Sequence, residues 1–181
     1  MLFCATAFFL IGCNKQGGGE ITDQPSNELV DEDLVTEEIF HDQGDVFLSS
    51  FEPTDQDDVI VRLRVRRGNA TNVTVEWTTE LSKVDGKDIE WKSAPLAFEK
   101  ADVNKYYDYY KGTIPAQPSA YRYHFVVQNN KQTAYYAGRD IELAQKDSSG
   151  KYVNPFSGFS KDFLLQVNFS TPDWSKGALW Y

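Results

Sequence analysis

Cysteine is nearly absent from this chain: Cys4 and Cys13 are the only two, and both fall within its first thirteen residues. Everything after them therefore has neither a disulfide nor a thiolate metal site. Histidine is equally scarce, with His41 and His124 too far apart in sequence to suggest zinc ligation. Methionine occurs once. No Lys or Arg lies between Lys15 and Arg62, a stretch that holds 14 of the 27 acidic residues. Most of the formal charge of -9 thus belongs to a leading segment, while the part from Arg62 onward is mildly basic. Nucleic-acid binding has no basic cluster behind it beyond Arg62, Arg64, Arg66 and Arg67, which alternation places on or beside one strand as a solvated face. No stretch repeats its apolar residues with a helical period, and no internal repeat is visible.

What is present begins with an apolar run, Met1 to Ile11, too short to span a bilayer. Its end, Leu10-Ile11-Gly12-Cys13, resembles the bacterial lipobox, in which a cysteine after small residues is lipidated and becomes the new N-terminus. A buried strand with a chance cysteine is the alternative, and no positive residue precedes the run as a signal peptide should have. Residues 1–12 are expected to be a lipoprotein signal peptide, with export and a membrane lipid anchor at Cys13. Residues 13–38, rich in Gly and acids and poor in aromatics, are expected to be a flexible acidic linker, since they bury too little to offset ordering entropy.

From Ile39 the pattern is that of strands. Val61, Leu63 and Val65 alternate with arginines, and Val73, Val75 and Trp77 alternate with Thr74 and Glu76; Gly68-Asn69 between them predicts a hairpin. Asp85-Gly86 marks a second turn before a strand over Ile89 to Phe98. Further strands are predicted over Tyr106 to Ile114, Tyr121 to Val127, Thr133 to Tyr136 and Phe163 to Phe169, the last with Phe163, Leu165, Val167 and Phe169 on one side. Several short strands joined by polar turns predict an all-β, immunoglobulin-like β-sandwich over residues 39–170.

Two places carry a family resemblance. The segment Thr171-Pro172-Asp173-Trp174-Ser175-Lys176-Gly177-Ala178-Leu179-Trp180-Tyr181 resembles the junction of glycoside hydrolase family 13, where a Pro-Asp-Trp linker leads into the first barrel strand. The body is similar to the N-terminal module of neopullulanase, cyclomaltodextrinase and maltogenic amylase, also called carbohydrate-binding module family 34. The matching stretches are Ile39-Phe40-His41, Val61 to Gly68, Asp108-Tyr109-Tyr110 with Ile114, and Tyr121 to Val127. The resemblance implies a non-catalytic module of an enzyme acting on starch, pullulan or cyclodextrin-type α-glucans. It also implies packing on a catalytic barrel, of the same or a second subunit, with residues 171–181 as junction and Trp174, Trp180 and Tyr181 as its aromatic groups. A free-standing surface starch-binding lipoprotein and a structural extracellular immunoglobulin-like domain stay open.

Glycosidases of this type hold two carboxylates at the ends of barrel strands. A barrel needs about 250 residues, so no acid here is assigned catalysis. Sugar rings stack on aromatic faces, which singles out Trp91, Tyr107 and Tyr109; Trp77 continues the Val73 and Val75 face and belongs to the core. Binding by two such rings would be weak, of order millimolar. Some modules of the family bind calcium, but Asp55, Asp57 and Asp58 lack the glycine and terminal glutamate of a calcium loop. A solvated turn is expected there, with no cofactor.

Overall fold

The computed structural model describes residues 24–81, 89–156 and 161–169. Cys13, the Asp85-Gly86 turn, and Trp174, Trp180 and Tyr181 lie outside them. The described residues contain no α-helix, only a 3-10 turn at Thr36–Glu38 and eleven strands.

Two sheets form the sandwich. The smaller holds β1 (Val59–Arg66), β5 (Tyr107–Ile114) and β4 (Ala97–Ala101), in the order β1-β5-β4. The larger runs β3 (Lys92–Pro95), β2 (Asn72–Thr78), β6 (Tyr121–Gln128), β7 (Thr133–Ala137) and β8 (Asp140–Leu143), with β11 (Phe163–Leu165) also pairing β6. A small ribbon of β9 (Gln145–Lys146) and β10 (Tyr152–Val153) stands apart. All pairings are antiparallel.

The alternation read from the sequence decides which side chains face inward. Val59, Val61, Leu63 and Val65 of β1 oppose Val73, Val75 and Trp77 of β2 and Tyr121, Tyr123, Phe125 and Val127 of β6, all in one core cluster. At roughly 1.5–3 kcal/mol for each fully buried side chain of this size, these positions dominate the favourable side of folding. Trp77 is in the core, as expected. The Asn129-Asn130 turn joins β6 to β7 as a true hairpin, with the Asn129 side chain accepting from the amides of Lys131 and Gln132.

Four expectations change. First, β1 and β2 are not a hairpin: β1 pairs β5, whereas β2 pairs β3 and β6 in the other sheet. The chain arches over the end of the sandwich through Gly68, whose φ of 72° suits glycine. Buried Asn69 stabilises the arch, donating to the Leu29 and Asp33 carbonyls and accepting from the Val35 amide. Second, the stretch Ile89 to Phe98 is two strands, because the chain leaves β3 in the larger sheet and enters β4 in the smaller at Leu96. Third, the last strand ends at Leu165; Asn168 adopts φ 55° and donates its amide to the Pro53 carbonyl, so Phe169 is left exposed. Fourth, residues 24–38 of the expected flexible linker lie against the sandwich. Leu34 is buried in the core, the Leu29 amide donates to the Gly68 carbonyl, and Glu38 pairs with Arg66. Composition counts the acids of this segment but not the backbone partners that await it.

Candidate functional site

The arginine face of β1 is less solvated than alternation alone predicts. Arg62 makes a forked ion pair with Glu99 at 2.8 and 3.1 Å, and Arg67 reaches fully buried Asp108. Arg64 is wedged between aromatic rings, its guanidinium 4.4 Å from the Tyr107 centroid and 4.8 Å from that of Phe40. Tyr109 lies beside Phe47, with ring centroids 6.2 Å apart, and the Lys100 ammonium sits 5.7 Å from its ring centre. Tyr107 and Tyr109 thus lie together on the outer face of the smaller sheet, each already engaged by a cation.

Trp91 lies elsewhere, on the outer face of the larger sheet just before β3. Its ring meets His124 edge-on, with centroids 4.3 Å apart, and the Tyr135 ring lies tilted against the imidazole at 5.6 Å. His124 belongs to β6 and points away from the core, yet it is 0% exposed. The register explains its neighbours: Glu76 of β2 is the cross-strand partner of His124, and Asp162 immediately precedes Phe163, which pairs with Tyr123. Nδ1 lies 3.2 Å from Asp162 Oδ1 and Nε2 lies 3.0 Å from Glu76 Oε2. A ring with a carboxylate at each nitrogen donates twice only as imidazolium. Burial alone would lower its pKa, but hydrogen bonds and charge from Asp162 and Glu76 outweigh burial and raise it.

The other histidine is its opposite. His41 is packed among Phe47, Tyr123, Phe125 and Phe163. Burial pushes it down to about 4, against a hydrogen bond to the Arg62 carbonyl and the charge of Asp42. Neutral, it donates from Nδ1 to Arg62 at 2.8 Å and accepts from the Tyr123 hydroxyl at 2.9 Å. It is a satisfied core group.

His41 also floors an open cleft of about 460 Å³ at one end of the sandwich. The walls are residues 40–43, the turn Gly138-Arg139 and residues 162–164. Next to it, across Leu164, lies an apolar hollow of about 280 Å³ formed with Phe51 and Phe169. Among the described residues no group of three His, Cys, Asp or Glu side chains converges as for a metal ion. Asp57 instead accepts from the Thr54 amide and hydroxyl, and Asp58 from the Ala116 amide, which is turn capping.

Of the three aromatic candidates, then, two share a face and Trp91 stands on the opposite sheet. Sequence reasoning missed the Glu76-His124-Asp162 cluster. The available signal was a histidine at an outward position of a strand whose next outward residue, Val126, is apolar, which points to a covered outer face.

These features define an all-β immunoglobulin-like module. Residues 34–157 match the family described as alpha amylase, N-terminal ig-like domain, and the chain belongs to that family. It is 27% identical over 158 residues to an amylopullulanase of Thermoanaerobacterium thermosulfurigenes, covering 84% of this chain and 8% of that protein. An amylopullulanase of Thermoanaerobacterium saccharolyticum is 37% identical over 67 residues, which is 35% of this chain and 5% of the relative. A solved cyclomaltodextrinase shares the fold with a TM-score of 0.52 at 17% identity, over 80% of this chain and 22% of that one. The chain therefore spans less than a tenth of the amylopullulanases it matches.

Proposed function

We propose that this chain is the non-catalytic N-terminal module of an α-amylase-family glycoside hydrolase acting on α-glucans such as starch, pullulan or cyclodextrins. It contributes weak glucan binding and packs on the catalytic barrel of the same or a second subunit. The family membership supports the enzyme class, and the sugar-binding role rests on one observation: Trp91 is a partly exposed indole braced edge-on by a buried imidazole. A braced ring loses little freedom when a pyranose stacks on it. Tyr107 and Tyr109 already face cations, so Trp91 is the better platform. The hollow of Phe51, Leu164 and Phe169, at the last of the described residues, supplies the packing surface.

Affinity electrophoresis in soluble starch and in immobilised β-cyclodextrin tests the platform. Retardation should be lost in Trp91→Ala and kept in Tyr107→Ala and Tyr109→Ala. Loss only in the tyrosine variants would move the site to the smaller sheet, and release of reducing sugar by the pure chain would refute a non-catalytic role. The lipid anchor is proposed on the lipobox-like Leu10 to Cys13. In bacteria fed labelled palmitate the label should vanish in Cys13→Ala, and its persistence would overturn the anchor.

A further inference from the structure

The cleft beside His41 carries chemistry that the Trp91 platform does not use. Asp162 is only 6% exposed in its side chain, and Oδ1 is held by His124 at 3.2 Å. Its Oδ2 makes no hydrogen bond among the described residues, and the residue lines the cleft. Solvent reaches that oxygen, which leaves it an acceptor open to a ligand hydroxyl. Arg139 lines the same cleft, exposed and likewise without a hydrogen bond or ion pair among the described residues. Phe40 and Leu164 supply apolar wall, while His41 and Tyr136 on the floor are neutral and satisfied by each other's segment and by Tyr123. The turn that presents Arg139 is tightly placed: Gly138 has φ 57° and a Cβ there would strike the Lys161 carbonyl. Gln43 on the facing wall also has positive φ, at 61°, and donates to the Leu164 carbonyl. Backbone held in such conformations by its surroundings is typical of ligand clamps.

Charge selects the ligand. Asp42, Asp162 and Arg139 leave the rim slightly negative, which disfavours an anion. A carboxylate acceptor and a five-donor guanidinium lining one cleft suit a neutral ring with adjacent hydroxyls, which donate to one and accept from the other. An apolar face of the ring then lies on Leu164. The cleft volume also falls within the ~300–1,000 Å³ of small-molecule sites. We infer that this cleft is a second α-glucan subsite, separate from the Trp91 face, in which Asp162 and Arg139 bind the hydroxyls of one sugar unit and His124 positions Asp162. The inference rests on the glucan-binding reading only for the identity of the sugar.

The test is an amide-resolved NMR titration of the whole chain with maltotriose. The expected result is two independent sets of shifts, one around Trp91 and one around Gly138, Arg139 and Asp162 to Leu164. Arg139→Ala, at an exposed residue with no hydrogen bond or ion pair among the described residues, should raise the dissociation constant of the second set at least fivefold and leave the first unchanged. Trp91→Ala should do the reverse. Asp162→Asn should weaken the second set as well, and its folding is checked by retention of the core amide shifts; Arg139→Ala stands as the deciding variant if it unfolds. Shifts confined to Trp91, or an Arg139→Ala variant with unaltered affinity, overturn the subsite while sparing the platform. No shift anywhere with maltotriose overturns both.

Discussion

At the scale of single residues, the two histidines pull stability in opposite directions along the pH axis. His41 is buried neutral, with its pKa pushed from 6.5 to about 4. Between those values the unfolded chain binds a proton that the folded one refuses. The stability present above pH 6.5 is lost as pH falls toward 4, by about 3 kcal/mol. His124 is raised above 6.5, so its contribution is complete below 6.5 and is lost as pH rises through the folded value. Thermal melts should therefore peak near pH 6.5 as far as these groups decide it, with the acid side falling by roughly 10 °C. His41→Asn should flatten the acid arm and His124→Gln the alkaline arm. Were both variants to keep the parental profile, the protonation states assigned to the two rings would be wrong.

At the scale of elements, the turns between strands carry most of what composition could not reveal. Gly138 and Gly150 both have positive φ, 57° and 82°, and so would strain any other residue. They differ in space: a Cβ at Gly150 meets nothing, whereas one at Gly138 runs into the Lys161 carbonyl, which is backbone and cannot swing away. Alanine at Gly150 should cost about 1 kcal/mol from conformation alone, and at Gly138 roughly 2 kcal/mol more from overpacking. Urea unfolding of the two variants reads the difference directly, and equal midpoints would show that the β7-β8 turn is not locked. The β1-β2 arch teaches the same lesson. Gly68-Asn69 marks a turn correctly, but a turn signal does not say whether the next strand returns to the same sheet. That was decided by Asn69, whose side chain finds the backbone of residues 29–35.

At the scale of the whole molecule, an apolar hollow stands open among the described residues. Phe51 is 65% exposed, Leu164 47% and Phe169 48%, and together they line one hollow. Contiguous apolar surface of this kind marks an interaction site or an aggregation hazard. Phe51→Gln with Leu164→Gln should lower self-association in light scattering while changing unfolding free energy by about 0.5 kcal/mol or less per site, since neither side chain is in the core. A large stability loss would instead place these groups in the module's own packing. Much of the architecture was legible beforehand. Strict alternation in β1, β2 and β6 identified the core, because a pleated strand sends successive side chains to opposite faces whatever surrounds it. The aromatic candidates were legible only as types. Alternation could not tell that Tyr107 and Tyr109 face cations from neighbouring strands while Trp91 rests on a buried imidazole. Nor could it place Glu76, Asp162 and His124 together, since they are separated by long stretches of chain and meet only through strand register. The sequence by itself determined the class, the inward faces and the family, all of which depend on local periodicity and local motifs. Sheet partnership, the docking of residues 24–38, the charge of His124 and the cleft of Asp162 and Arg139 were decided by tertiary structure, because burial and pairing between distant strands exist only once the two sheets have closed on each other.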